Sequence, residues 1–203
     1  MFTVTGQPQN KKANYNAAQT SFSDGTITEP VTKDEVKAYC KLSTGTAEDT
    51  LLDIFITAAR KQCEAYSNIS FIPRTVTAII TNFCGGIFLP YGPTGAITSV
   101  TDKDGAALNV NETYTIQGTT WKQLLTPLQD GLTVVYAAGY ANGSLPAELK
   151  LAILQQVFYL YENRGEISSV TRQGIPTETR QGIPTETTLS PQAKATLHRL
   201  KRV

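Results

Sequence analysis

VTKDEVKAYCKLSTGTAEDTLLDIFITAARKQCEAYS, residues 31–67, reads as two helices with a short break between them. Thr32 and Glu35 stand at the spacing of a capping box, so Thr32 is the expected N-cap, and Val31 and Val36 occupy the hydrophobic-staple positions around it. Val36, Tyr39, Cys40 and Leu42 give this helix an apolar face, and Gly45 closes the segment. Thr46 can cap a second helix with Glu48 and Asp49 in its first turn, where the helix dipole favours acids. Leu52, Phe55, Ala59, Cys63 and Tyr66 then recur at helical spacing, with Leu51 and Ala58 widening the face. This predicts helix from about 47 to 67.

Downstream the period changes. Thr75 to Phe83 is rich in β-branched residues, and Gly85-Gly86 can turn the chain into Ile87 to Leu89. Pro90, Gly92, Pro93 and Gly95 make a rigid loop. Ile97 to Thr101 reads as a strand, and Asp104-Gly105 is a hairpin signal. Short strands are expected at Thr113 to Ile116, Lys122 to Leu125 and Leu132 to Ala137. Helix returns after Leu145-Pro146, where proline fits the first helical position. Over 147–163, Leu149, Ile153, Val157 and Leu160 form one apolar row, and Leu154, Phe158 and Tyr161 a second. A face this wide suits contact both with the domain's own core and with a neighbouring subunit; packing on the core alone is the alternative. The expected class is therefore α+β: a small helical domain of three main helices, an antiparallel β-sheet or hairpin insertion, and extended arms at both ends.

The arms carry little apolar pattern. Residues 1–28 are rich in Gln, Asn, Thr and Ser and should not form a core of their own. TRQGIPTE occurs at 171–178 and again at 179–186, too short a duplication for a solenoid, with Gly and Pro favouring an extended or turning chain. Ser190-Pro191 to Val203 can form a short basic helix with Lys194, His198 and Lys201 on one face.

Bulk properties narrow the functional classes. The 203 residues are 40% hydrophobic and 17% charged, with a formal net charge of +1. A dedicated duplex binder usually shows a strong basic excess. Here the excess is confined to the end: Arg172, Arg180, Lys194, Arg199, Lys201 and Arg202 face only Glu178 and Glu186. Cys40, Cys63 and Cys84 form no C-x-x-C pair, and so read as small buried hydrophobes in a reducing cytosol. No apolar run approaches the roughly 18 residues of a membrane span, so no membrane partner is expected.

Sites of chemistry find little support. His198, the single histidine, lies in the basic tail and reads as solvated, not as a general base. Asp102-Lys103-Asp104-Gly105 brings its glycine too early for a calcium loop and reads as a turn. No phosphate-binding glycine motif follows Cys84-Gly85-Gly86 or Gly92. Glu148 and Glu162 fall on expected helix surfaces, where solvation is the ordinary state. Trp121 reads as a packing or interface residue in preference to a base-stacking platform. No cofactor, metal or catalytic residue is expected.

Taken in order, VTKDEVKAYCKL (31–42), AEDTLLDIFITAARKQCEAYS (47–67), IPRTVT (72–77), LPYGPTGAITSVTDKDG (89–105), TVVYAAGY (133–140) and LPAELKLAILQQVFYLYENRGE (145–166) resemble the head–tail connector, or adaptor, family of tailed bacteriophages. The resemblance rests on the order and spacing of these segments, no one of them being diagnostic. It implies a non-enzymatic virion protein at the head–tail interface, assembled in the bacterial host cytoplasm. Family members form a closed ring, usually twelvefold, under the portal. The ring extends the DNA channel, completes the packaged head and attaches the tail. Genomic DNA then passes through during packaging and ejection without sequence-specific binding.

On this reading residues 1–28 are an extended arm lying on a neighbouring subunit or the next ring, 29–166 the connector domain, and 167–203 an extended tail. Phe55, Val157, Phe158 and Tyr161 are the expected subunit interface. Arg172, Ile175, Arg180, Ile183, Lys194, Arg199, Lys201 and Arg202 are the expected contacts with the portal protein, the alternatives being that the duplication is a spacer and the basic end faces DNA. Two rival readings remain: a nucleic-acid-binding protein acting through the basic tail, and a hydrolase working with carboxylates alone.

Overall fold

The computed structural model describes residues 15–25, 27–83, 86–111, 113–126, 131–163 and 189–200. The chain is α+β and divides into two compact units. A helical unit takes the described residues of 28–67 and 143–200, and a sheet unit takes those up to 27 and from 68 to 142.

In the helical unit, α1 (Lys33–Cys40) starts as its capping box requires. Thr32 Oγ1 accepts the Glu35 N–H at 3.3 Å, and Glu35 Oε2 accepts the Thr32 N–H at 2.9 Å. The helix stops at Lys41, in the left-handed region at φ 55°, four residues before the expected Gly45. α2 (Asp49–Ser67) and α3 (Ala147–Glu162) follow the predicted spans closely. A fourth helix, α4 (Pro191–His198), is capped by Ser190, whose Oγ accepts the Ala193 N–H at 3.1 Å. The helices pack through Val36, Leu52, Ile56, Leu149, Ile153 and Leu197, all almost wholly buried. Each such side chain contributes on the order of 1.5–3 kcal/mol relative to exposure.

The sheet unit holds β1 (Tyr15–Asp24), β2 (Arg74–Phe83), β3 (Gly86–Phe88), β4 (Thr94–Asp102), β5 (Thr115–Gln117), β6 (Gln123–Leu125) and β7 (Leu132–Ala138). They form a four-stranded sheet ordered β1-β2-β7-β4 and a three-stranded sheet ordered β3-β6-β5, antiparallel throughout. Alternation along the strands sends Val76, Ala78, Ile80, Val134 and Tyr136 of the larger sheet into one core with Ile87 and Leu124 of the smaller. Tyr136 donates its hydroxyl to the Pro90 carbonyl at 2.5 Å. Trp121 lies so close over Gly92 that a Cβ there would sit 2.2 Å from its ring.

Three features add to the expected plan. The sequence places residues 15–24 within an arm lying on another chain; they form β1, paired antiparallel with β2 of the same chain from Tyr15↔Phe83 to Asp24↔Arg74. The strand is held by backbone ladder bonds, which a polar sequence makes as well as an apolar one. Its Phe22 ring meets Tyr91 edge-on at 4.8 Å, with the Arg74 guanidinium 4.9 Å from its centre. β4 begins at Thr94, inside the expected loop, because register shifts between Thr94 and Ser99 absorb the Gly95-Ala96 stretch. Residues of the expected connector domain at 29–166 fall in both units, with the sheet inserted between α2 and α3. The Asp102–Gly105 turn is as expected: Asp102 Oδ1 accepts the N–H groups of Asp104 and Ala106 at 2.9 and 2.8 Å, and Gly105 takes φ +85°.

Candidate functional site

The helical unit presents an apolar surface on α1 and α3. Phe158 is 41% exposed and meets Tyr39, 40% exposed, edge-to-face at 6.3 Å. Leu151, also exposed, stands two turns before Phe158 on the same α3 face, with half-buried Leu154 between them. The four residues expected at a subunit interface separate here. Phe158 is on this surface. Val157 is completely buried in its own unit, and Tyr161 nearly so, donating its hydroxyl to Glu48 Oε2 at 2.6 Å. Phe55 is half-buried and packs edge-on against Tyr161 at 6.5 Å. Val157 and Tyr161 are core because the helical period carries them beneath α2 and α4, whereas Phe158 turns away. The sequence reading leaves out Leu151, although its spacing of three residues to Leu154 and seven to Phe158 continues the second apolar row.

A second surface lies on the sheet unit. The side of the larger sheet turned away from its core is built in cross-strand rows. One row runs Ser21, Thr77, Val135, Ser99; another runs from Ile79, the register partner of Gln19, through Thr133 to Thr101; a third runs Ser23, Thr75, Ala137; Lys103 lies beyond them, beside Gly131. None of the side chains in the three rows ionises. Ile79, at 42% exposure, is the largest apolar group among them.

Charged groups fix the helical framework beneath its surface. Arg60 is 1% exposed, and its guanidinium binds Glu29 at 2.8 Å through Nε and Glu64 at 2.9 Å through Nη1. Thr57 Oγ1 donates to the same Glu29 at 3.0 Å, so the segment entering α1 is clamped onto α2. Lys37 pairs with Asp49 at 2.5 Å and donates to the Gly45 carbonyl at 2.9 Å, tying α1 to the start of α2. Lys150 of α3 meets Glu35 at 2.5 Å. The hydrogen bonds donated by Lys150 and by the Thr32 backbone N–H hold the Glu35 carboxyl below its ordinary range, and the hydrogen bond from Lys37 does the same for Asp49. Burial pushes the Cys63 thiol up to about 12. Among the described residues no group of three or more His, Cys, Asp or Glu side chains is placed to hold a metal ion, and no helix is long and apolar enough to cross a membrane.

Over 189–200 the basic end forms a short helix, as its sequence predicts. Ala193 and Leu197 are fully buried, and the fully buried Gln156 of α3 accepts the Ser190 N–H at 2.7 Å while donating to Gln62 at 2.7 Å. Thr196 donates to Gln155 at 3.0 Å. α4 is therefore docked on its own helical unit. Its small apolar pair, four residues apart, is hidden in the sequence by the basic residues around it. Lys194 and Arg199 remain exposed, with the Lys194 ammonium 5.9 Å from the Tyr66 ring centre. Arg172, Ile175, Arg180, Ile183, Lys201 and Arg202 lie outside the described residues.

Chains from gene transfer agent (GTA) particles share this fold. A chain from the neck of an empty GTA particle, computed with C6 symmetry, superposes with a TM-score of 0.65 at 17% identity, covering 91% of this chain and 96% of that one. A chain from the virion of a native GTA particle gives 0.60 at 17% identity, with 91% and 95% covered. A third, from the neck of a native particle computed with C12 symmetry, gives 0.52 at 16% identity, with 88% and 96% covered. No curated protein matches. The family model described as "Head completion protein" matches residues 29–203, and the chain belongs to that family. It is thereby a structural component of the head–tail connection.

Proposed function

We propose that this chain is the subunit of a homo-oligomeric adaptor ring, twelvefold, that docks beneath the portal of the packaged head. The ring extends the DNA channel, completes the head and receives the tail or the next ring. The observation that carries this reading is the family match over residues 29–203. The likeness to neck chains from particles computed with C6 and C12 symmetry supports it, since both symmetries suit a ring of twelve. The role is structural, without turnover: the chain contributes surfaces to an assembly, and DNA passes without sequence-specific contact. Its place is the virion neck, after assembly in the host cytoplasm.

The proposed portal contacts are the exposed cations Lys194 and Arg199 together with Arg172, Ile175, Arg180, Ile183, Lys201 and Arg202. Cations on a docking end give orientation and rate more than affinity. Electron microscopy of particles made without this chain tests the reading. Packaged heads lacking tails are expected, with tails recovered on adding the purified protein. Tailed, infectious particles in its absence would overturn it. A nucleic-acid-binding role through the basic end predicts instead that the isolated chain binds duplex DNA with a steep salt dependence.

A further inference from the structure

We propose that the apolar α1/α3 surface of one copy docks on the uncharged central rows of the four-stranded sheet of the next copy, which Lys103, beside Gly131, flanks at one end. The inference rests on the ring reading and specifies how its contact is made. A ring closed by head-to-tail contacts needs two different surfaces on every copy, each fitting the other. The two units supply such a pair. The helical unit offers an aromatic couple, Tyr39 and Phe158, still about two-fifths exposed after packing edge-to-face, with Leu151 beyond it. Exposed aromatic side chains of this kind are the usual anchors of interfaces.

The sheet face offers the complement. A solvated surface ordinarily mixes charges of both signs, yet the rows through Thr77, Ile79 and Thr75 contain no ionisable residue: beyond Gln19, the register partner of Ile79, they are serine, threonine, alanine, valine and isoleucine. Absence of charge, more than apolarity, distinguishes the centre of an interface from other surface. An aromatic ring arriving over Ile79 and Val135 desolvates no ion. The threonine and serine hydroxyls around them can bond across the contact or keep water at its rim. The occupant of each surface is therefore a second copy of this chain.

Mixed subunits test the pairing. Ile79→Lys spoils only the sheet surface, and Phe158→Glu only the helical one. Each variant, with an unchanged circular dichroism spectrum, is expected to lose the oligomer seen for the wild type by size exclusion with light scattering. An equimolar mixture is expected to regain it, because the ammonium introduced in one variant meets the carboxylate introduced in the other while the alternate contacts stay native. If both variants assemble alone, or if neither does and the mixture fails to recover, the pairing is wrong while the ring stands. A wild-type chain that remains monomeric at every concentration, and absent from particle necks, removes the ring reading and this inference with it.

Discussion

Gln156, fully buried in α3, accepts the backbone N–H of Ser190 at 2.7 Å. One side chain thus joins residues 34 positions apart and fixes the N-cap of α4. Its amide also donates to Gln62 of α2, so three helices meet at a single polar group.

Gln156→Leu keeps the volume and removes both bonds. Each buried partner left unsatisfied costs about 1–3 kcal/mol. Hydrogen exchange over 189–200 should accelerate strongly in the variant, and protease cleavage before Ser190 should increase. Unchanged exchange in that segment would show that Ala193 and Leu197 alone hold α4.

Arg60 sits at 1% exposure between Glu29 and Glu64. Arg60→Met leaves two carboxylates without their cation, a loss of about 3–5 kcal/mol. Adding Glu29→Gln and Glu64→Gln removes the stranded charge and should recover part of that loss. Urea midpoints of the single and triple variants measure both effects; a single variant as stable as wild type refutes the clamp.

Acid should weaken the helical unit. Glu35 and Asp49 have carboxyls held below their ordinary values by Lys150 and Lys37. At intermediate pH the unfolded chain therefore binds more protons than the folded one, and stability rises with pH. The contribution is complete above the ordinary carboxylate range and is lost as pH falls through the depressed folded values. Urea midpoints followed from about pH 7 to about pH 3 should fall for the wild type. They should fall less steeply for Lys37→Met/Lys150→Met.

Cys63 is buried, with its thiol raised to about 12, so almost no thiolate forms at neutral pH. In a variant with Cys40 and Cys84 changed to Ser, modification by a maleimide should proceed only as fast as the chain opens. Rapid labelling under native conditions would show that α2 separates from the core more easily than its packing suggests.

Local chemistry is what the sequence displays best. Thr32 and Glu35 announce α1 because both partners of the cap lie within four residues, and Pro146 and the Leu149 row announce α3 for the same reason. The hairpin at Asp102 is equally local. β1 is invisible because its partner strand begins at Arg74, fifty residues after Asp24, and nothing in YNAAQTSFSD carries the apolar alternation of a buried strand. The docking of α4 is obscured by charge, and Arg60 gives no sign that a cation within α2 is buried. The apolar breadth of α3 is legible; which of Val157, Phe158 and Tyr161 stays exposed depends on where α1, α2 and α4 lie, and that information is tertiary.

The insertion of the sheet unit has a mechanical meaning. Because β1 belongs to the sheet unit and the residues after it to the helical unit, the backbone passes between the units, among the described residues, near 27, 67 and 142. A tensile load separating the two units is carried by two covalent crossings, near 67 and 142, and by a third near 27 that ends in β1, which its ladder bonds to β2 hold to the sheet; a simple two-domain chain has one crossing. Severing the backbone at any one of these crossings leaves the other two, so the two units stay tethered after a single proteolytic cut.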